Sequence, residues 1–188
     1  AVPKVPALIQ RHLDELIVKS KSGLLSDQEQ ADLDEMLDYL DDLNLNATWT
    51  DATAGMRVEF SSHTDHLRDL VRHRASGKCE YCRTDERTQV ASFACDHVIP
   101  VNKGGSSEAG NLAWACPRCN ASKGSSVTAV DPTSGREVPF FNPRQDRWDD
   151  HFRWSFDSLT IEPRSAVGRA TVARLKMNRP RMVEIRGI

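Results

Sequence analysis

A chain of 188 residues is long enough for one moderate domain, or for a small domain with an appendage. Its hydrophobic content of 39 % is a little low for a single well-packed globule but far from disordered, and no apolar run approaches the ~20 residues that span a bilayer. The net charge of −2 is poor for a nucleic-acid binder, yet it hides a division: residues 1–60 carry 5 Lys+Arg against 12 Asp+Glu, giving −7, and residues 61–188 carry 20 against 15, giving +5. The basic surplus that would attract phosphate lies in the second part.

The start, "AVPKVPALIQRHLDE", has no basic segment leading into an apolar core, so it does not read as a secretory leader, and a cytoplasmic location is expected. Over residues 7–20, Leu8, Ile9, Leu13, Leu16 and Ile17 recur at helical spacing. "SDQE" (26–29) is a capping box, in which Ser26 accepts from an early helix N–H while Glu29 reaches back. The helix it opens runs to about residue 44, with Leu33, Met36, Leu37, Leu40 and Leu43 as an apolar stripe and acidic residues on the other faces. The pair reads as a helical hairpin packed on a core or on a protein partner. Its acidity also suits docking on a partner's basic surface, or shielding a basic site.

Residues 45–62 have no strong period and read as a linker with a short strand at "MRVEF". Residues 64–75 read as a basic amphipathic helix, with His66, Leu67, Leu70 and Val71 inward and Arg68, Arg72 and Arg74 outward. "QVASFACD" (89–96) reads as a strand, "NKGGSSEAG" (102–110) as a loop and "NLAWAC" (111–116) as the returning strand. In "PRCNASKG" a short helix starts at Pro117 and stops at Gly124. Further on, "DPTSG" (131–135) is a turn between two short strands, and "WDDHFRWSFDSLTIEP" is rich in aromatic and β-forming residues. Residues 165–177 form a helix, and Pro180 opens a final one.

Four of the five cysteines form two pairs, Cys79-x2-Cys82 and Cys116-x2-Cys119. In a cytosolic chain such pairs point to thiolate coordination of zinc before disulfides, because each tight turn brings two sulfurs to one ion. The 33 residues between the pairs exceed the 15–20 of a common zinc ribbon. The excess holds "FACDHVIPVNKGG", where an acid, a histidine, a proline and a Gly-Gly loop follow in quick succession. Such a zinc would staple the ends of a strand–loop–strand insert, supplying stability and no chemistry. Cys95 falls outside the pairs and reads as a core residue.

The ordered set of CEYC, DHVIP, the GG loop, NL, CPRCN and ASKG resembles the HNH nuclease family, the ββα-metal fold, over residues 77–124. The tail "FNPRQDRWDDHFRW" through "GRATVARLKMNRP" is similar to the C-terminal part of stand-alone bacterial HNH proteins. The resemblance implies an α+β protein with three parts. Residues 1–60 would form an acidic helical region, residues 61–128 a zinc-stapled core, and residues 129–188 a mixed extension packing on it.

It further implies roles. Asp96 and Asn120 would hold one Mg²⁺ or Mn²⁺, which hard oxygen donors suit. His97 would act as general base on the attacking water. Asn111 would fix the His97 ring or brace the loop. Lys103, Arg118 and Lys123 would contact phosphates. The implied substrate is DNA, double-stranded DNA first, cut to 5′-phosphate and 3′-hydroxyl ends. The competing reading is a zinc scaffold that binds DNA or protein without cutting. Arg136, Arg144, Arg147 and Arg153 would extend a phosphate track or simply solvate the surface. His151 reads as a packed histidine rather than a second catalytic one.

Overall fold

The computed structural model describes residues 2, 4–46 and 63–187, so the expected "MRVEF" strand lies outside the described residues. Helix α1 (Ala7–Ser22) buries Leu13, Leu16 and Ile17 and stops at Gly23, whose φ of 68° lets its N–H bond back to the Lys19 and Ser20 carbonyls. Leu8, expected on the same stripe, stays exposed. Helix α2 (Asp27–Asn46) starts at the expected capping box: the Glu29 N–H donates to Ser26 Oγ at 3.2 Å, and the Ser26 N–H donates to Glu29 Oε2 at 3.1 Å. Lys19 crosses to Glu29 at 2.5 Å and ties the two helices at their turn.

Helix α3 (His63–Arg74) precedes a two-stranded antiparallel ribbon, β1 (Ala94–His97) with β2 (Leu112–Ala115). Helix α4 (Pro117–Lys123) follows at once. This is the expected strand–loop–strand–helix order, and the fold is α+β. Beyond it come the hairpin β3 (Thr128–Val130) and β4 (Glu137–Pro139), the short helix α5 (Trp148–His151), and a second hairpin, β5 (Phe152–Trp154) with β6 (Ile161–Pro163). Helices α6 (Ala166–Arg174) and α7 (Pro180–Arg186) complete the order.

Two apolar cores organise these elements. The larger joins Val71, the four paired cysteines, Tyr81, Phe93 and Trp114 to Phe140, Phe141, Trp148, Phe152, Ile161, Leu175 and Met177, so the ribbon and the C-terminal segments share one interior. A fully buried Phe or Leu in such a core contributes about 1.5–3 kcal/mol by leaving water. The smaller core is the interior of the α1–α2 hairpin, and among the described residues Val2, Val90, Ala91 and Ala121 close it from outside the hairpin.

The first ribbon strand is shorter than its sequence suggests. Residues 89–93 do not pair with β2, because their backbone groups are claimed by the N-terminal segment. The Val5 N–H donates to the Val90 carbonyl at 3.0 Å, the Val90 N–H to Asn44 Oδ1 at 2.7 Å, and the Ser92 N–H to Gln10 Oε1 at 2.8 Å. Helix α3 also departs from expectation. Val71 is buried and Leu67 half-buried, but His66 and Leu70 face solvent. Its arginines are exposed as expected, and each also reaches back to the protein. Arg68 bonds the Phe93 carbonyl and lies 5.1 Å over the Trp114 ring, Arg72 pairs with Glu86, and Arg74 bonds the Leu112 carbonyl at 2.6 Å.

Candidate active site

The two cysteine knuckles set the frame. Cys79, Cys82, Cys116 and Cys119 are all buried, and their Sγ atoms lie within 4.8 Å of one another. The first knuckle turns back through the Arg83 N–H on the Cys79 carbonyl at 2.9 Å, with Arg83 at a φ of 62°. The second is the start of α4, where Pro117 occupies the first turn and the Cys119 N–H points at Cys116 Sγ at 3.4 Å. Cys82 Sγ and Cys116 Sγ are 3.8 Å apart. Tetrahedral ligation with Zn–S near 2.3 Å requires sulfur separations of about 3.8 Å, so the four donors fit a structural zinc. Cys95 is only half-buried and lies opposite Trp114 on the ribbon.

The first knuckle also reaches into the insert. Tyr81 sits between its two cysteines, is fully buried, and donates its hydroxyl to Asp96 Oδ2 at 2.6 Å. Burial, with the Asp96 charge beside it, pushes the Tyr81 pKa well above its usual value, so the phenol keeps its proton and acts as donor. Asp96, on β1, has no solvent exposure. Its other contacts are two ammonium groups: Lys21 Nζ at 2.6 Å on Oδ1 and Lys123 Nζ at 3.2 Å on Oδ2. Lys123 also donates to the His97 carbonyl at 2.8 Å.

His97 follows on the same strand, half-buried at the ribbon's end. Its Nε2 meets Ser107 Oγ at 2.9 Å. Burial lowers the His97 pKa, Lys21 and Lys123 lower it further, and Asp96 opposes them. The imidazole is therefore neutral near pH 7 and has a lone pair to accept a proton.

Among the described residues the Asn111 side chain makes no hydrogen bond to the His97 ring. Its amide spans the loop, accepting from the Ile99 N–H at 2.9 Å and donating to the Ile99 and Ser106 carbonyls at 2.8 Å. Of its two expected roles it performs the loop brace. Gly105 packs under that brace: a Cβ there would sit 1.8 Å from the Ile99 carbonyl oxygen. The Gly-Gly pair is thus required inside the loop by a turn at Gly104 (φ 83°) and a close approach at Gly105.

Asn120 lies on α4, which packs against β1. It is buried, and its Oδ1 has no hydrogen-bond partner among the described residues. An orphaned amide oxygen of this kind costs about 1–3 kcal/mol unless something meets it. A carboxylate and a free amide oxygen are the donor types a hard divalent cation takes, so the chemistry of Asp96 and Asn120 fits such an ion. In this arrangement the Asp96 charge is met by lysine.

The expected phosphate contacts divide. Lys103 is exposed on a short turn at Val101–Lys103. Arg118 and Lys123 are buried, contrary to the surface positions expected for them. The reason is the α1–α2 hairpin, which lies over α4: Arg118 Nη2 bonds Asp38 at 2.6 Å and approaches Asp41 at 3.3 Å, while Lys123 turns in to Asp96. In the tail, Arg144 pairs with Glu80 and Arg153 with Glu162, whereas Arg136 and Arg147 face solvent. His151 is packed, bonded to Ser165 at 2.7 Å and edge-on to Phe141.

Tyr81, Lys21 and Ser107 were not singled out in the sequence. Tyr81 carried a signal, since it lies inside the CEYC knuckle. Lys21 carried none, being 75 residues from its partner.

Comparison with known proteins agrees with this geometry at one level. The family model described as HNH endonuclease matches residues 79–126, the stretch from the first zinc-type cysteine to just past α4. No curated protein and no solved structure matches the chain. Among the described residues no helix is long and apolar enough to cross a membrane.

Proposed function

We propose, taking the HNH match over residues 79–126 as the premise, that this chain is a metal-dependent endonuclease acting on DNA, double-stranded DNA first. The observation that carries the reading is the position of His97. A half-buried imidazole is held through Nε2 by Ser107 and follows the buried Asp96 carboxylate on the same strand, and burial lowers its pKa. A fixed neutral imidazole is the group that takes a proton from water at neutral pH.

The residues divide the work. His97 orients and deprotonates the attacking water. Ser107 holds the ring, and Asn111 with Gly105 holds the loop that carries Ser107. Lys103, exposed beside the loop, meets the DNA backbone as a point charge. Asp96 and Asn120 would hold Mg²⁺ or Mn²⁺, which supplies charge stabilisation at the scissile phosphate and eases departure of the 3′-oxygen. The zinc site supplies rigidity: through Tyr81 it fixes where the Asp96 carboxylate stands.

One observation favours a second reading. Asp96 is buried under two ammonium groups, an arrangement that also suits a scaffold binding DNA or protein without cutting it. Incubation of supercoiled plasmid with the purified chain separates the two. The nuclease reading expects nicks that depend on added Mg²⁺ or Mn²⁺ and that DNA ligase reseals, since resealing requires 5′-phosphate and 3′-hydroxyl ends. Binding without such nicks moves the scaffold reading ahead.

A further inference from the structure

The α1–α2 hairpin closes over α4 and meets it mainly through charge. Lys21 of α1 holds Asp96 at 2.6 Å. On α2, three acids within little more than one turn hold three arginines of the second part. Asp38 and Asp41 take Arg118, Asp41 takes Arg179 at 2.6 and 3.0 Å, and Asp42 takes Arg181. Arg179 and Arg181 lie at the start of α7, so with Arg118 of α4 they bring three guanidinium groups to one stretch of α2. Two fork contacts stand out: Arg179 meets Asp41, and Arg181 meets Asp42, with two nitrogens each. Bidentate pairing of this kind is the geometry in which arginine takes phosphate.

Two buried atoms of α4 remain unpartnered among the described residues, Asn120 Oδ1 and Arg118 Nε. Each belongs to a residue at most 6 % exposed. One wants a cation or a donor, and the other an acceptor. The apolar part of the contact is small, being Val90, Ala91 and Ala121 against the hairpin interior. Ion pairs, three neutral hydrogen bonds from Asn44 and Gln10, and a small apolar patch make a contact closer to an interdomain interface than to a domain core. Its exposed pair, Arg181 with Asp42, weakens in salt and is open to competition by a polyanion, whereas the buried Asp41 pairs are screened far less.

We propose that the hairpin is an intramolecular stand-in for the substrate complex: Asp38, Asp41 and Asp42 occupy Arg118, Arg179 and Arg181 where DNA phosphates bind, and the Lys21 ammonium occupies Asp96 where the divalent cation binds. The proposal rests on the nuclease reading for the identity of the ligands. It adds Arg179 and Arg181 to the DNA surface and makes the covered state a resting state. Lys21, not Lys123, is the exchangeable ammonium. Lys123 is 1 % exposed and tied to the His97 carbonyl within the same unit, whereas Lys21 is 20 % exposed and arrives from the hairpin. DNA and cation then cooperate, since each removes a contact that opposes the other.

The test measures binding in the full chain. Mn²⁺ affinity is read by titration calorimetry, and affinity for a labelled 20-base-pair duplex by fluorescence anisotropy at low salt. Lys21→Met should bind Mn²⁺ at least about tenfold more tightly than wild type, and Asp38→Asn with Asp42→Asn should bind duplex more tightly by a similar factor. Both substitutions leave the buried Asp41 in place, and circular dichroism checks the fold. Unchanged affinities overturn the proposal even if the wild type cuts DNA. Raised affinities without any cleavage support it and remove the nuclease reading instead. A second measurement needs no variant of the hairpin: duplex and Mn²⁺ added to His97→Ala protein should speed amide exchange over residues 7–46. Unaltered exchange with duplex bound overturns the proposal.

Discussion

Tyr81 donates its hydroxyl to Asp96 at 2.6 Å from inside the first cysteine knuckle, so the zinc-type frame and the candidate catalytic carboxylate are joined by one buried hydrogen bond. Tyr81→Phe keeps the ring and deletes only that bond. Asp96 would keep Lys21 and Lys123, so the chain should fold with its zinc, at a loss of about 1–3 kcal/mol read from urea unfolding. An unchanged unfolding midpoint would mean that the hydroxyl does not support the carboxylate.

The second prediction concerns the metal. Elemental analysis of the purified chain should give one zinc, and Cys79→Ser should lower that content and loosen the ribbon. The loss should be large, because the three remaining buried cysteines cannot complete a tetrahedral site and the ion's folding energy is forfeited. A wild-type protein that is folded and free of zinc would contradict the staple.

The third uses the two kinds of glycine in the loop. Alanine at Gly105 would put its Cβ 1.8 Å from the Ile99 carbonyl oxygen and 2.7 Å from Asn111 Nδ2, whereas alanine at Gly110 meets nothing within 4 Å. Gly105→Ala should therefore lower the thermal midpoint, with a cost above about 1 kcal/mol, and Gly110→Ala should leave it nearly unchanged. Equal midpoints would show that the loop closes by another route than the Asn111 brace.

Much of this centre was legible because its determinants are local. The CxxC spacing places two sulfurs per turn, the Pro117 and Gly124 signals bracket α4, and the Ser26–Glu29 box marks the start of α2. What was not legible is long-range. Nothing near Lys21 announces Asp96, and nothing near Arg118 announces Asp38, so Lys21 carries no signal and Arg118 reads as a phosphate contact. The strand at residues 89–93 was misjudged for the same reason, since Asn44 and Gln10 supply the bonds a neighbouring strand would have made. The arginines of α3 read as a solvated face because helical spacing cannot reveal that Trp114 and the Leu112 carbonyl lie within their reach.

The most direct test of the account is plasmid nicking with Mn²⁺ by the Lys21→Met chain, with and without His97→Ala. The Lys21 background removes the ammonium that stands on Asp96, so a silent result cannot be blamed on it. The account predicts resealable nicks from Lys21→Met, and a loss of about 10²-fold or more when His97 is also replaced, the scale of a missing general base. Equal nicking by the two proteins would remove His97 from the base role. No nicking by either, with both folded and holding zinc, would contradict the nuclease itself.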